Sequence, residues 1–265
     1  MKVKYWTLII LYFISTVCHA QHEKIYKLDK KKELTIGSTC LILGIADAIL
    51  SDRSSALTDE EILSLSIDDI PSIDRSATRQ NSIKAKDLSD IFEYSVFFVP
   101  APLFISERIR GEAKEIGVMY IEAFSFNLLS NQFVKFITKR NRPFMYNESI
   151  DIAAKRTTNG RKSFYSGHVS HTATLSIFTA KVFADIYPES KWRPLVWTGA
   201  FAIPITTGYL RYKAGRHFLS DVTAGVIAGS LIGYFIPEWH RRKDILPKGV
   251  SLEPDNNGLS LRYIF

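Results

Sequence analysis

Apolar residues in this chain gather into long runs instead of alternating with polar ones. Six such runs follow one another at about residues 34–50, 91–105, 117–137, 169–186, 194–210 and 222–240, divided by polar, charged or proline-containing links. None sustains the alternation of a half-buried strand, and most outlast the usual ~4–8 strand residues. The pattern predicts an all-α fold, a helical bundle of about six core helices. Helix-start signals agree: Thr58 with Glu61 reads as a capping box, and Ser89-Asp90 precedes the second run. Residues 51–90 are polar and carry "IPSIDRSATRQ", which predicts a short helix and a loop packed outside the bundle. The final "GLSLRYIF" reads as one strand or an irregular end. Residues 21–243 thus form a single helical domain, and 244–265 a C-terminal tail.

A membrane-crossing helix needs ~20 mostly apolar residues. The third and sixth runs meet that length and the fifth comes close. The first contains Asp47, and the second is short and holds Pro100 and Pro102, so neither is expected to span. In the sixth run Gly225, Gly229 and Gly233 recur every four residues, a face on which helix backbones approach closely. The bundle is read as membrane-embedded or membrane-associated, with a soluble bundle as the alternative.

The first twenty residues alter the picture. "MKVKYWTLIILYFISTVCHA" has a basic start, an apolar stretch and a small residue at its end, the pattern of a secretory signal peptide cleaved after Ala20. An uncleaved anchor is the alternative. Cleavage would leave Cys40 as the sole cysteine and exclude an internal disulfide. The net charge of +7 suits anionic partners, either phosphates or acidic lipids; no feature points to nucleic acid.

The polar residues between the runs carry the candidate chemistry. The third run ends in "KFITKRNRPF" with Lys135 and Arg142, and the fourth begins just after Ser166-Gly167-His168. The fifth ends at Arg211, and the sixth opens after His217 and Asp221. If consecutive helices run antiparallel, these four clusters meet at one end of the bundle. Lys135 and Arg142 are seven residues apart, so on a continuing helix they share a face. His217 and Asp221 are four apart, which lets the carboxylate hold the imidazole. Ser166 offers a hydroxyl and Gly167 an unobstructed N–H just before a helix start, where the dipole favours an anion. Three cations around two histidines describe a phosphate site.

The three blocks, K-x6-R-P, S-G-H and R-x5-H-x3-D, resemble the signature of the type-2 phosphatidic acid phosphatase superfamily, which includes the vanadium haloperoxidases. Tyr165 stands where that family usually has proline, and Leu210 where it usually has serine. The resemblance implies a metal-independent, cofactor-free phosphatase. In it His217, oriented by Asp221, attacks phosphorus, and His168 serves as acid and then base. Lys135, Arg142, Ser166, Gly167 and Arg211 hold the phosphoryl oxygens. It further implies a phosphomonoester or pyrophosphate substrate on a lipid, such as phosphatidate, undecaprenyl diphosphate or lipid A, and a bacterial envelope phosphatase.

Other readings remain open on the residues alone. His168, His171, His217 and Asp221 are plausible zinc ligands. A vanadate-dependent haloperoxidase and a non-enzymatic anion- or lipid-binding protein fit the same cup of charge. His171 has no place in the signature and reads as a helix cap or a pocket wall. Lys139, Arg140, Arg161 and Lys162 read as solvated or headgroup contacts, and Asp74 with Arg75 as a structural ion pair. Arg216 reads as lining the mouth of the site, and Asp185 and Glu238 as structural. The basic loops 106–116, 187–193 and 240–243 lie at the other end of the bundle and fit cytoplasmic loops. The site would then face the periplasm of an inner-membrane protein, or belong to a periplasmic one.

Overall fold

The computed structural model describes residues 24–52, 55–242, 250–255 and 258–263. The signal-peptide reading of residues 1–20 lies outside them. Six long helices make the bundle: α1 (Lys30–Asp52), α2 (Ile83–Ser95), α3 (Ala113–Thr138), α4 (Gly167–Ile186), α5 (Arg193–Lys213) and α6 (Leu219–His240). The architecture is all-α, as the hydrophobic pattern predicts.

Helix α4 is the axis. Nearly every residue from Val169 to Val182 is buried, because α3, α5 and α6 all pack on it. On α6 the glycine repeat faces α4. A Cβ on Gly225, Gly229 or Gly233 would stand 2.9, 2.3 or 2.3 Å from the carbonyl oxygen of Ser166, Ser170 or Thr174. On α5, Pro204 has no N–H to give the carbonyl of Ala200 four residues back. The hydroxyl of Ser176 donates to that carbonyl at 2.7 Å. The largest apolar core, with Ile116, Met119, Phe178, Val182 and Ile236, sits toward the end where α3 begins and α6 finishes.

Several sequence expectations change. Helix α2 starts at Ser82, whose side chain accepts from Ala85 N, so Ser89 and Asp90 are interior helix residues instead of a cap. The Thr58–Glu61 capping box is present and opens a short helix, Asp59–Leu63. The polar segment that follows lies against the link after α3: Leu57 and Ile62 pack on Phe144 and Met145, and Ile70 and Ala77 on Phe218. The strand expected of "GLSLRYIF" is present: β1 (Val250–Asp255) pairs antiparallel with β2 (Gly258–Tyr263).

The membrane assignment moves as well. Among the described residues, three segments are long and apolar enough to cross a bilayer: Lys30–Leu50, Ile83–Ile105 and Leu219–His240. Asp47 therefore does not bar the first run, whose Leu34, Leu41, Ile42, Ile45 and Ile49 stay exposed and outweigh one carboxylate. The second run gains length because α2 continues through helical turns at Val96–Phe98 and Ala101–Ile105. Helices α3 and α5 fall outside this set. Helix α3 turns Glu115, Asn127, Asn131 and Lys135 into the bundle.

Candidate active site

The ends of α3 and α5 and the starts of α4 and α6 meet around a cavity of about 360 Å³. Lys135, Arg142, Gly167, His168, His171, Arg211 and His217 line it. The chain reaches this arrangement by local rules. Lys139 closes α3 in the left-handed conformation at φ 44°. Pro143 follows, and the link carries Arg142, whose N–H donates to the Gly160 carbonyl at 2.8 Å. Ser166 caps α4 and is held to the start of α6 by its own N–H, which donates to the Asp221 carbonyl at 3.1 Å. Gly167 leaves room for its neighbours, since a Cβ there would lie 3.0 Å from both the Lys135 ammonium and Asn131 Oδ1.

Lys135, Arg142, Arg211 and His217 are thus buried together, and burial with Arg142 beside it pushes the Lys135 ammonium down to about 7. Burial and the neighbouring Arg211 push the Arg142 guanidinium down to about 9, still cationic at neutral pH. Burial, then Arg142, Arg211 and Lys135, holds His217 well below the ordinary imidazole range. Arg142 donates to Asn159 Oδ1 at 3.0 Å. Among the described residues, the buried Ser166 Oγ, Arg142 Nε and Arg211 Nε have no hydrogen-bond partner. Crowded cations with unspent donors are the structural requirement for an oxyanion.

The imidazole of His217 is fixed differently from the sequence expectation. Its Nδ1 donates to the Ser163 carbonyl at 2.9 Å; because a carbonyl only accepts, Nε2 keeps the lone pair. Asp221 Oδ2 stands 3.7 Å from Nδ1, beyond a hydrogen bond. Asp221 instead accepts from Ser163 Oγ at 2.5 Å, Phe218 N at 2.9 Å and Arg140 at 2.5 Å. It stands one layer behind the ring, with Ser163 between them.

Helix α2 supplies residues that sequence reasoning missed. Glu93 bridges the two histidines, 2.7 Å from His168 Nε2 and 2.7 Å from His171 Nδ1. Asp90 lies 2.8 Å from His168 Nε2 and accepts from Arg211 at 3.2 Å. Burial lowers the His168 pKa, the Glu93 hydrogen bond raises it, and Arg211 lowers it again. His171 lines the cavity, its ring 5.6 Å from that of Phe124. The four candidate zinc ligands do not converge: His168 and His171 turn to Glu93, while Asp221 turns to Ser163 and Arg140.

Arg140 is a further correction. It is not a headgroup contact but joins Asp221 to the buried Asp74 at 2.8 Å, with its guanidinium 4.4 Å from the Phe218 ring centroid. Asp74 also accepts from Ser220 N and Oγ. Arg75 pairs with Asp68, so Asp74 and Arg75 are not partners. Lys162 lines the cavity and lies 4.6 Å from the Phe136 ring. Lys139 is exposed at the helix end. Arg216 lies 5.0 Å from the Phe144 ring. Asp185 and Glu238 bind Lys181 at the opposite end of the bundle.

A helical bundle whose polar mouth gathers cations and histidines around an anion-sized cavity defines a phosphate-handling class, and known proteins bear directly on it. Residues 116–245, which contain all of these motifs, match the PAP2 superfamily. The lipid A 4'-phosphatase of Porphyromonas gingivalis is 25% identical over 136 residues, 51% of this chain and 54% of that protein. Phospholipid phosphatase 1 of Mus musculus is 31% identical over 86 residues, 31% of this chain and 30% of that one. The matches thus span about half and about a third of those relatives. A transmembrane PAP2-type phosphatidylglycerolphosphate phosphatase from Bacillus subtilis aligns in structure at a TM-score of 0.41 and 20% identity, covering 78% of this chain and 95% of that one. Residues 116–245 of the chain belong to the PAP2 superfamily.

Proposed function

We propose that the chain is a metal-independent phosphatase that cleaves a phosphate ester or diphosphate on a lipid through a phosphohistidine at His217. The observation carrying this reading is His217 itself: Nδ1 is occupied by the Ser163 carbonyl, and the ring lines a cavity together with Lys135, Arg142 and Arg211. A neutral imidazole with Nε2 free is a nucleophile.

In the first step the Nε2 lone pair forms the N–P bond as the bond to the leaving oxygen breaks, and His168 gives that oxygen its proton. In the second, His168 takes a proton from water. The hydroxide attacks phosphorus, the N–P bond breaks, and inorganic phosphate leaves. Lys135, Arg142 and Arg211, with Ser166 Oγ and Gly167 N–H, meet the charge that grows on the phosphoryl oxygens. Asp221 steadies Ser163 and, through it, the ring. Glu93 and Asp90 hold His168 ready for both transfers.

The substrate class follows the relatives, whose names specify lipid A and phospholipids; candidates are lipid A, phosphatidate and undecaprenyl diphosphate. The basic loops at the end away from the cavity favour a cytoplasmic location for that end and a periplasmic mouth in a bacterial envelope. With Lys30–Leu50 as a span starting at that same end, this orientation has the chain enter α1 from the cytoplasm and is incompatible with a signal cleaved after export at Ala20. Rapid quenching with a ³²P-labelled lipid panel tests the proposal. The expected result is an acid-labile, base-stable phosphoprotein with one or more of these lipids, absent in His217→Ala. Turnover without any such species, or labelling that survives in His217→Ala, overturns it.

A further inference from the structure

At the end of the bundle away from the phosphate cavity, three side chains from three helices meet. Glu33 in the first turn of α1, Glu122 on α3 and His240 at the end of α6 bring one ligand atom each to within 4.8 Å of the others. His240 is fully buried, with Glu122 and Glu33 mostly so.

The tautomer of His240 follows from its neighbours. Nδ1 lies 2.8 Å from the Ile236 carbonyl and must donate to it. Nε2 therefore faces the two carboxylates, 3.1 Å from Glu33 Oε1 and 3.4 Å from Glu122 Oε2. An imidazole that gives one N–H to a backbone carbonyl and turns the other nitrogen to acidic groups has the outer-shell arrangement of a metal-bound histidine.

Charge and distance both favour a cation here. Among the described residues no lysine or arginine forms an ion pair with Glu33 or Glu122. Glu33 Oε2 and Glu122 Oε2 are buried and accept no hydrogen bond. Ligands bonded to a tetrahedral cation at ~2.0–2.1 Å stand roughly 3.3 Å from one another. The two observed separations, 3.1 and 3.4 Å, bracket that value.

We propose that Glu33, Glu122 and His240 form a binding site for a divalent transition-metal cation, separate from the phosphate cavity. One imidazole and two carboxylates, without a thiolate, suit Zn²⁺, Mn²⁺ or Fe²⁺. Three protein ligands leave a position for water. The cation ties the start of α1 and the end of α6 to α3, beside the hydrogen bond from Lys27 N to the His240 carbonyl. The proposal does not depend on the reaction at His217.

The full chain in detergent, stripped with chelator and dialysed against Zn²⁺, tests it by elemental analysis. Wild type and His217→Ala should each retain one zinc per chain, and Glu122→Gln and His240→Gln should lose it. Co²⁺ titrated into wild type should give visible absorption bands that neither variant shows. Because a variant could fail to fold, each is also assayed for its gel-filtration profile and helical circular dichroism. Wild type with well under one zinc and no cobalt bands overturns the proposal. So does zinc that survives in folded Glu122→Gln and His240→Gln but leaves with His217→Ala, which would place the metal in the phosphate cavity.

Discussion

Ser163 holds His217 by its backbone and Asp221 by its side chain: the carbonyl accepts from His217 Nδ1 at 2.9 Å, and the hydroxyl donates to Asp221 at 2.5 Å. The carboxylate therefore reaches the imidazole through an intermediary. Where a carboxylate holds a catalytic histidine directly, its amide costs about 10⁴ in kcat. Here Asp221→Asn should cost clearly less, because the Ser163 carbonyl still selects the tautomer, whereas His217→Gln should remove the phosphoenzyme altogether. Steady-state kcat on a short-chain lipid phosphate separates the two. A loss of 10⁴ or more in Asp221→Asn would mean that the carboxylate bonds the ring during turnover.

Arg142, like Arg211, is buried with its Nε unpartnered. Arg142→Leu should lower kcat by about 10²–10³, the usual effect of removing one donor to a developing oxyanion. Asn159→Ala, which removes only the acceptor that orients the guanidinium, should cost less than tenfold. Equal losses would assign Asn159 a direct role.

Arg140 is the only described cation paired with both Asp221 and Asp74. Removing one member of a buried, hydrogen-bonded ion network strands the remaining charges, typically at about 3–5 kcal/mol. Arg140→Met should lower unfolding stability by that order in a denaturant titration in detergent, and Asp74→Asn should lower it too. A stable Arg140→Met would show that Ser163, Ser220 and Phe218 suffice to hold the two carboxylates.

How much of this was legible depends on where each partner lies in the chain. Lys135, Arg142, His168, Arg211 and His217 declare themselves by fixed spacing at helix ends, and an antiparallel order of helices brings those ends together. Glu93 and Asp90 gave no such sign: His168 and Asp90 are 78 positions apart, and no period links them. Their three-residue spacing on one face of α2 was the available hint. Arg140 beside Lys139 looks like a solvated helix end because its partners, Asp74 and Asp221, are 66 and 81 residues away. The Ser163 carbonyl is a backbone group, which composition cannot reveal. In the first run Asp47 weighs less than the leucines and isoleucines around it, whose exposure along one helix is set by what packs on α1 and not by composition.

Gly233 and Gly199 offer a matched test of the packing. A Cβ on Gly233 would lie 2.3 Å from the Thr174 carbonyl, which is backbone and cannot step aside, whereas a Cβ on Gly199 meets nothing within 4 Å. Gly233→Ala should force α6 off α4 and cost about 1–3 kcal/mol, as overpacking does. Gly199→Ala should gain about 0.5–1 kcal/mol from helix propensity alone. Thermal unfolding of the two variants should move in opposite directions, and a destabilised Gly199→Ala would indicate that α5 carries a contact outside the described residues.

The pH profile follows from the two histidines. In the proposed mechanism His217 reacts only when neutral, and burial with Arg142, Arg211 and Lys135 around it keeps its pKa well below 6.5, so the acid limb of kcat/KM should lie far into the acid range. His168 must start protonated, and burial holds its pKa below 6.5 despite the raising effect of Glu93, so the alkaline limb also falls on the acid side. The optimum of kcat/KM should therefore lie below 6.5. Glu93→Gln withdraws the group that favours the charged imidazole, so the His168 pKa should fall further and the alkaline limb should move to lower pH while the acid limb stays. Bound phosphate offsets the cations around His217, which should move the acid limb of kcat above that of kcat/KM. A Glu93→Gln profile that merely drops in height, with both limbs in place, would reduce Glu93 to a packing role.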